Sequence, residues 1–147
     1  MNGWIVLDAS FAVKLLVVEP FSDLAYALTA QWAVEGKDTV APHFMFAEVA
    51  NALYRKHLGG ELSQLEILTL IDNLHAAKIQ LMTPPSLYTH AVQLSSQLKQ
   101  STIYDSLYLA LAQHLNSELW TADQRFYKAA VSVFPNVKWI GDPNLNS

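Results

Sequence analysis

The sequence contains no cysteine and few charged residues, and both absences restrict what the chain can be. Without thiols it has neither disulfides nor thiolate metal sites, which fits the cytoplasm. Charged residues make up only 15% of the chain and apolar residues 52%. This balance predicts a packed globule and argues against disorder. A length of 147 residues predicts one domain, covering residues 1–147, with a single core.

The chain also lacks a long apolar run and a basic leader. Its longest apolar stretches are interrupted by Asp8, Lys14 or Glu48 before they reach the length of a membrane span. No basic stretch precedes the first apolar run, so we expect no signal peptide and a cytoplasmic location. The formal net charge of −4 disfavours general attraction to nucleic acid, unless bound cations cancel part of it.

Four acids lie inside apolar runs: Asp8, Glu48, Asp105 and Asp123. An ionised carboxylate in apolar surroundings is costly unless it is paired, hydrogen-bonded or bound to a metal. No matching set of buried cations is visible in the sequence. A divalent metal ion would neutralise all four acids together.

Strand and helix signals alternate along the whole chain. The predicted strands cover residues 4–7, 39–41, 78–82, 118–121 and 137–140. The predicted helices cover residues 11–18, 22–34, 42–58, 63–77, 86–99, 104–116 and 124–131, with Ser10 as the expected cap of the first. Five strands separated by helices predict an α/β fold with a parallel sheet covered on both faces.

On this map the four acids converge on one edge of the sheet. Asp8 and Asp123 directly follow strands, at the carboxyl edge where open α/β sheets bind ligands. Asp105 begins a helix, where the dipole favours an anion. Glu48 lies near the start of another helix, and spacing puts Asn51 and Arg55 on its face. Oxygen ligands of this kind suit Mg²⁺ or Mn²⁺.

Each residue also fits a simpler structural role. Asp8, Asp105 and Asp123 are well placed to cap helices, and Glu48 can extend its carboxylate to solvent. Ser10 and Asn51 would then be an ordinary cap and a solvated amide. Arg55 and Arg125 are candidate phosphate contacts, although solvated surface is the common role for both. The case for a site rests on all four acids reaching the same edge.

The chain resembles the PIN-domain family, and within it the VapC-type toxins of bacterial toxin–antitoxin pairs. The resemblance covers residues 4–140, and four motifs carry it: VLDASFAVK, APHFMFAEVANALYR, IYDSLYLALA and LWTADQRF. It implies a three-layer α/β/α sandwich on a five-stranded parallel sheet. It also implies an endoribonuclease that depends on Mg²⁺ or Mn²⁺ and leaves a 5′-phosphate and a 3′-hydroxyl. The family's acidic quartet carries over onto Asp8, Glu48, Asp105 and Asp123, which would hold the metal, with Ser10 and Asn51 supporting.

The same resemblance implies protein partners. In VapC-like proteins the helical pair on either side of Gly59-Gly60 contributes to dimer and antitoxin contacts. Here that region is apolar on one side, through Leu53, Leu58, Leu62, Leu65 and Leu68. We therefore expect a homodimer and a VapB-like antitoxin that lays part of its chain across the acidic cleft.

Three other functions fit parts of the pattern. A phosphatase of the haloacid-dehalogenase type would use Asp8 as nucleophile, but it usually has a second acid two residues later, where this chain has Ser10. A response-regulator-like receiver would need an acidic pair near the first strand and a lysine after the last strand, and neither is clear. A PIN-like domain that only binds a partner is the third alternative.

Overall fold

The computed structural model describes residues 3–145, which form a five-stranded sheet and seven helices. The strands are β1 (Trp4–Leu7), β2 (Asp38–Ala41), β3 (Gln80–Leu81), β4 (Glu118–Thr121) and β5 (Val137–Trp139). The helices are α1 (Ala9–Leu16), α2 (Ser22–Val34), α3 (Phe44–Leu58), α4 (Gln64–Ala76), α5 (Leu87–Leu98), α6 (Tyr104–Leu115) and α7 (Gln124–Ala130). Every predicted element is present. The prediction for β3 is too long because Lys78 has a left-handed backbone, with φ of 58°, which ends the extended conformation.

All neighbouring strands are parallel, in the order β3-β2-β1-β4-β5. From β1 the chain adds β2 and β3 on one side of the sheet and then returns to add β4 and β5 on the other side of β1. Because crossovers between parallel strands are almost always right-handed, this reversal puts α1–α4 and α5–α7 on opposite faces. The predicted three-layer α/β/α sandwich is confirmed. The reversal lies between β1 and β4, where open α/β sheets form ligand crevices.

The central strand and α6 form the most deeply buried part of the core. Ile5, Val6 and Leu7 are at most 1% exposed, as expected for a parallel strand covered on both faces. In α6 the run from Ser106 to Ala112 is buried throughout. No helix within residues 3–145 combines the length and the apolar character needed to cross a membrane.

The start of α1 differs from the prediction, which gave Ser10 as its cap. The cap is Asp8, whose backbone is extended and whose Oδ1 accepts a hydrogen bond from the Phe11 amide at 3.0 Å. The helix therefore begins at Ala9, because the carboxylate that ends β1 satisfies one of the free amides of the first turn. The Ser10 hydroxyl is left to make other contacts.

The apolar face predicted around Gly59-Gly60 is only partly at the surface. Leu53 is fully buried in the core, so its assignment to a partner surface is wrong. It faces inward because α3 packs against both α1 and α4. In contrast, Leu58, Leu65 and Leu68 are 67%, 75% and 55% exposed. Of the five predicted leucines, these three therefore remain at the surface, and Leu62 is partly buried against the core.

Candidate active site

The pairing of β1 with β4 brings the segments that carry Asp8 and Asp123 together. Leu7 lies opposite Trp120 in the sheet, and the Asp8 amide continues the ladder by donating to the Trp120 carbonyl at 3.2 Å. Asp8 therefore lies next to Thr121, and Asp123 follows two residues later. Both acids lie at the carboxyl edge, where the strand order reverses.

Asp8 is a buried carboxylate, only 5% exposed, held by three donors. Its Oδ1 accepts from the Ser10 hydroxyl at 2.7 Å and from the Phe11 amide, and its Oδ2 accepts from the Thr121 hydroxyl. Burial raises the pKa of Asp8 to about 7. The three hydrogen bonds oppose this rise, and the charge of Asp105 adds to it.

The Ser10 and Thr121 hydroxyls that donate to Asp8 also join the two strand ends to each other. Ser10 Oγ accepts from the Ala122 amide at 2.9 Å, and Thr121 Oγ1 accepts from the Asp123 amide at 3.0 Å. Each hydroxyl therefore donates to Asp8 and accepts from the backbone that leads to Asp123. This fixes the two acid-bearing turns relative to one another.

Asp123 is the N-cap of α7, which is the structural role that its place in the sequence also allowed. Its Oδ1 accepts from the amides of Arg125 at 2.9 Å and Phe126 at 3.2 Å. Both bonds use the same oxygen, and the side chain is exposed. The second oxygen, Oδ2, therefore remains available to a ligand.

Asp105 and Glu48 complete the group from two different helices. Burial is the main cause that raises the pKa of each. The charge of Asp123 further raises the pKa of Asp105, and the charge of Asp105 further raises the pKa values of Glu48 and Asp8. Asp105 is therefore electrostatically coupled to the other three, which puts all four acids in one neighbourhood.

Glu48 is held by a residue that lies 60 positions away. The Tyr108 hydroxyl donates to Glu48 Oε1 at 2.5 Å, and the Tyr108 side chain is 1% exposed. Burial raises the pKa of Tyr108 above its ordinary value, with a further rise from the charge of Glu48. The phenol therefore stays protonated and acts as a donor that orients Glu48.

An open cleft of about 520 Å³ runs along α3, and of the four acids it is Glu48 that lines it. Ser10, Glu48, Asn51 and Arg55 line it, whereas Arg125 lies outside it on α7. A larger cavity of about 630 Å³ lies between α2 and α7, but none of the four acids lines it. The positions of the carboxylates, and not the size of a cavity, therefore locate the candidate site.

The donor set fits a divalent cation in charge and in atom type. Within the described part of the chain, none of the four acids forms a salt bridge. Carboxylate oxygens are the ligands that Mg²⁺ and Mn²⁺ prefer. Among residues 3–145, no three acidic or histidine side chains form a preassembled metal cage. Binding would therefore require side-chain rotation, and magnesium keeps several of its waters in such sites.

Comparison with known proteins identifies the family. A family model for the PIN domain matches residues 5–132, a range that contains all four acids. The chain belongs to the PIN domain family. Over 125 residues it is 31% identical to Ribonuclease VapC1 of Mycobacterium tuberculosis, in strains CDC 1551 / Oshkosh and H37Rv. The alignment covers 84% of this chain and 89% of that protein.

A solved structure shares the PIN fold of this chain. The crystal structure of PAE2754 from Pyrobaculum aerophilum superposes with a TM-score of 0.64 and covers 88% of this chain and 87% of that one. Because the two sequences are 17% identical, this likeness bears on the fold alone.

Sequence reasoning missed two residues that hold the acids of this PIN domain. Thr121 lies two positions before Asp123, and Tyr108 lies three positions after Asp105 on the same helix face. Spacing could have marked both as neighbours of an acid. It could not have shown that Thr121 bonds Asp8 or that Tyr108 bonds Glu48, because these contacts form between distant parts of the chain.

Proposed function

We propose that this PIN domain protein is an endoribonuclease that hydrolyses RNA phosphodiester bonds with Mg²⁺ or Mn²⁺. We further propose that it is the toxin of a toxin–antitoxin pair. Membership of the family and the 31% identity to Ribonuclease VapC1 support the activity. The observation that carries the proposal is that Asp8 and Asp123 follow the paired strands β1 and β4 at the switch point of the sheet. The charge of Asp105 acts on Asp8 and Glu48 and raises the pKa of each, which supports a shared site.

In this proposal Asp8, Glu48, Asp105 and Asp123 hold the divalent ion. When bound, such an ion supplies activation of a water and stabilisation of the charge that builds on a phosphate during in-line attack. The attack breaks the bond between phosphorus and the 3′-oxygen. The products are a 5′-phosphate and a 3′-hydroxyl, and no covalent intermediate with the protein is needed.

The other residues of the site orient these acids. Ser10 and Thr121 restrict Asp8 to one orientation, and Tyr108 does the same for Glu48. Because burial raises the pKa of Asp8 to about 7, a fraction of the molecules is protonated at Asp8 near neutral pH. A cation that binds the carboxylate displaces this proton. Cation binding is therefore coupled to pH.

The cleft provides contacts for the substrate. Asn51 can donate to or accept from the sugar–phosphate chain, and Arg55 can pair with a phosphate. Arg125, at the start of α7, is a candidate for a phosphate farther along the strand. With a net charge of −4 the protein depends on such local cations, and on the bound metal, to attract RNA.

The proposed partners are a VapB-like antitoxin and a second copy of this chain, which would act in the cytoplasm. The exposed Leu58, Leu65 and Leu68 provide an apolar surface suited to either contact. Asp8, Glu48 and Asp105 remain the part of the protein that an antitoxin would have to cover to block RNA.

The proposal is tested by substituting Asp8. We expect Asp8→Asn to abolish RNA cleavage and to keep the circular dichroism spectrum of the native fold. Asp72→Asn, which removes an exposed acid of α4, is the matched control and should cleave normally. Chelation should stop cleavage, and Mg²⁺ or Mn²⁺ should restore it. Equal cleavage by Asp8→Asn, or a phosphoryl group trapped on Asp8, would contradict the proposal.

A further inference from the structure

Two aromatic rings line the cleft along α3 and have no part in binding a cation. Phe44 and Tyr104 are the first residues of α3 and α6, the helices that carry Glu48 and Asp105. Their ring centroids are 4.8 Å apart and their planes differ by 16°, so the rings are stacked. Both side chains line the same 520 Å³ cleft as Glu48.

Tyr104 combines exposure with a fixed orientation. Its side chain is 47% exposed, although it is large and aromatic. One face of its ring is covered by Phe44, which itself packs against the core. A ring that served only to join α3 to α6 would gain more by burial. A rigid, exposed ring next to Asp105 is instead suited to stacking on a flat ligand.

The residues of α3 that line the cleft show how a substrate would lie. Phe44, Glu48, Asn51 and Arg55 follow one stripe, at spacings of four, three and four residues. At a rise of about 1.5 Å per residue, Phe44 and Arg55 are about 16 Å apart along the helix, and Glu48 lies between them. An aromatic pair therefore occupies one end of the stripe and a guanidinium group the other.

Arg55 is available for a phosphate at its end of the stripe. Within residues 3–145 it forms no salt bridge, whereas Lys14, Lys37 and Lys56 are all paired with glutamates. A nucleic-acid strand that passes Glu48 would meet a stacking surface on one side of Glu48 and a cation on the other.

We propose that Tyr104 is a stacking platform for an unpaired RNA base beside the cleaved bond. This inference rests on the proposed ribonuclease function. Bases within a duplex are already stacked on their neighbours, so they reach an aromatic side chain only when they are splayed out. Stacking is tolerant of base identity, whereas a phosphate contact by Arg55 requires no base at all.

The test measures binding of two fluorescent probes of about ten nucleotides, a length within the range of single-strand sites. One probe is oligoadenylate and the other is the same ribose–phosphate chain without bases. Every protein carries Asp8→Asn, so that the probes stay intact, and Mg²⁺ is present. We expect Tyr104→Ala to weaken binding of oligoadenylate on the order of 10-fold and to leave binding of the baseless chain unchanged.

Three further variants isolate the ring. Tyr104→Phe should bind as the parent does, because it keeps the aromatic face, whereas Tyr104→Leu should lose affinity as Tyr104→Ala does while still covering Phe44. Arg55→Ala should weaken both probes equally and reduce the salt dependence of binding by about one phosphate contact. Tyr88→Ala removes an exposed tyrosine on α5, outside the cleft, and should change neither probe.

Equal loss on both probes, or no loss on oligoadenylate, would overturn the role of Tyr104. An equally large loss in Tyr104→Ala on an adenylate–uridylate duplex, whose bases are already stacked on one another, would overturn base stacking as the cause. Failure of the ribonuclease function itself would appear separately, as absence of RNA cleavage by the protein with its native Asp8 in Mg²⁺ or Mn²⁺.

Discussion

Lowering the pH should stabilise this protein when no divalent ion is present, because its central acid binds a proton more tightly in the folded state. Burial raises the pKa of Asp8 from an ordinary value of 3.8 to about 7. The unfolded chain then loses its proton first as the pH rises. The contribution of Asp8 to the free energy of unfolding is complete below about pH 4 and is lost as the pH approaches about 7.

The size of the effect follows from that difference. Each pH unit between the two pKa values corresponds to about 1.4 kcal/mol, so the rise from 3.8 to about 7 corresponds to about 4 kcal/mol. Raised pKa values of Glu48 and Asp105 act in the same direction. A reference protein that lacks only the Asp8 charge is therefore needed to isolate its share.

The assay is urea unfolding in chelator, from about pH 4 to about pH 7.5, of the native protein and of Asp8→Asn. The variant cannot ionise at residue 8, so subtracting its free energies removes most of the contribution of the other groups. We expect the native protein to lose about 4 kcal/mol relative to Asp8→Asn over this range. Asp72→Asn, the exposed control, should follow the native curve.

A constant difference between the native protein and Asp8→Asn, within about 1 kcal/mol at every pH, would refute this reasoning. Adding Mg²⁺ or Mn²⁺ gives a second check. Because the ion binds the ionised carboxylates, its stabilising effect should increase with pH, opposite to the trend in chelator. An ion that stabilises the protein equally at about pH 4 and about pH 7.5 would contradict its binding at Asp8.

Three further predictions follow from individual contacts. Asp105→Asn should raise the melting temperature in chelator at neutral pH, because it removes a half-buried charge coupled to three other acids; a lower melting temperature would count against the coupling. Tyr108→Phe should weaken Mn²⁺ binding, followed by calorimetry, roughly 10- to 100-fold, because Glu48 loses the donor that orients it; unchanged affinity would exclude that role. Ser63→Ala should cost about 1 kcal/mol in denaturant unfolding, because it breaks the capping box with Glu66 at the start of α4. Cleavage of RNA by Ser63→Ala should remain normal, since α4 carries none of the four acids.

The elements of this fold could be predicted because each is encoded locally. The apolar runs of β1, β2 and β4 and the periodic helices between them give their own positions within a few residues. The capping box at Ser63 and the turn at Gly59-Gly60 are likewise properties of neighbouring residues. Local signals failed where two neighbouring residues could take the same role. At the start of α1 both Asp8 and Ser10 are good helix caps, and Asp8 makes the cap.

Local sequence signals are enough to specify the alternation of strands and helices, with an acid after β1, in α3, at the start of α6 and after β4. The packing of distant segments brings β4 beside β1, so that Thr121 bonds Asp8 across 113 positions. It also brings α6 to α3, so that Tyr108 bonds Glu48 across 60 positions. Helix and strand formation depends on neighbours within a few residues. Hydrogen bonds between distant segments depend on strand order and packing, which no short stretch of sequence specifies.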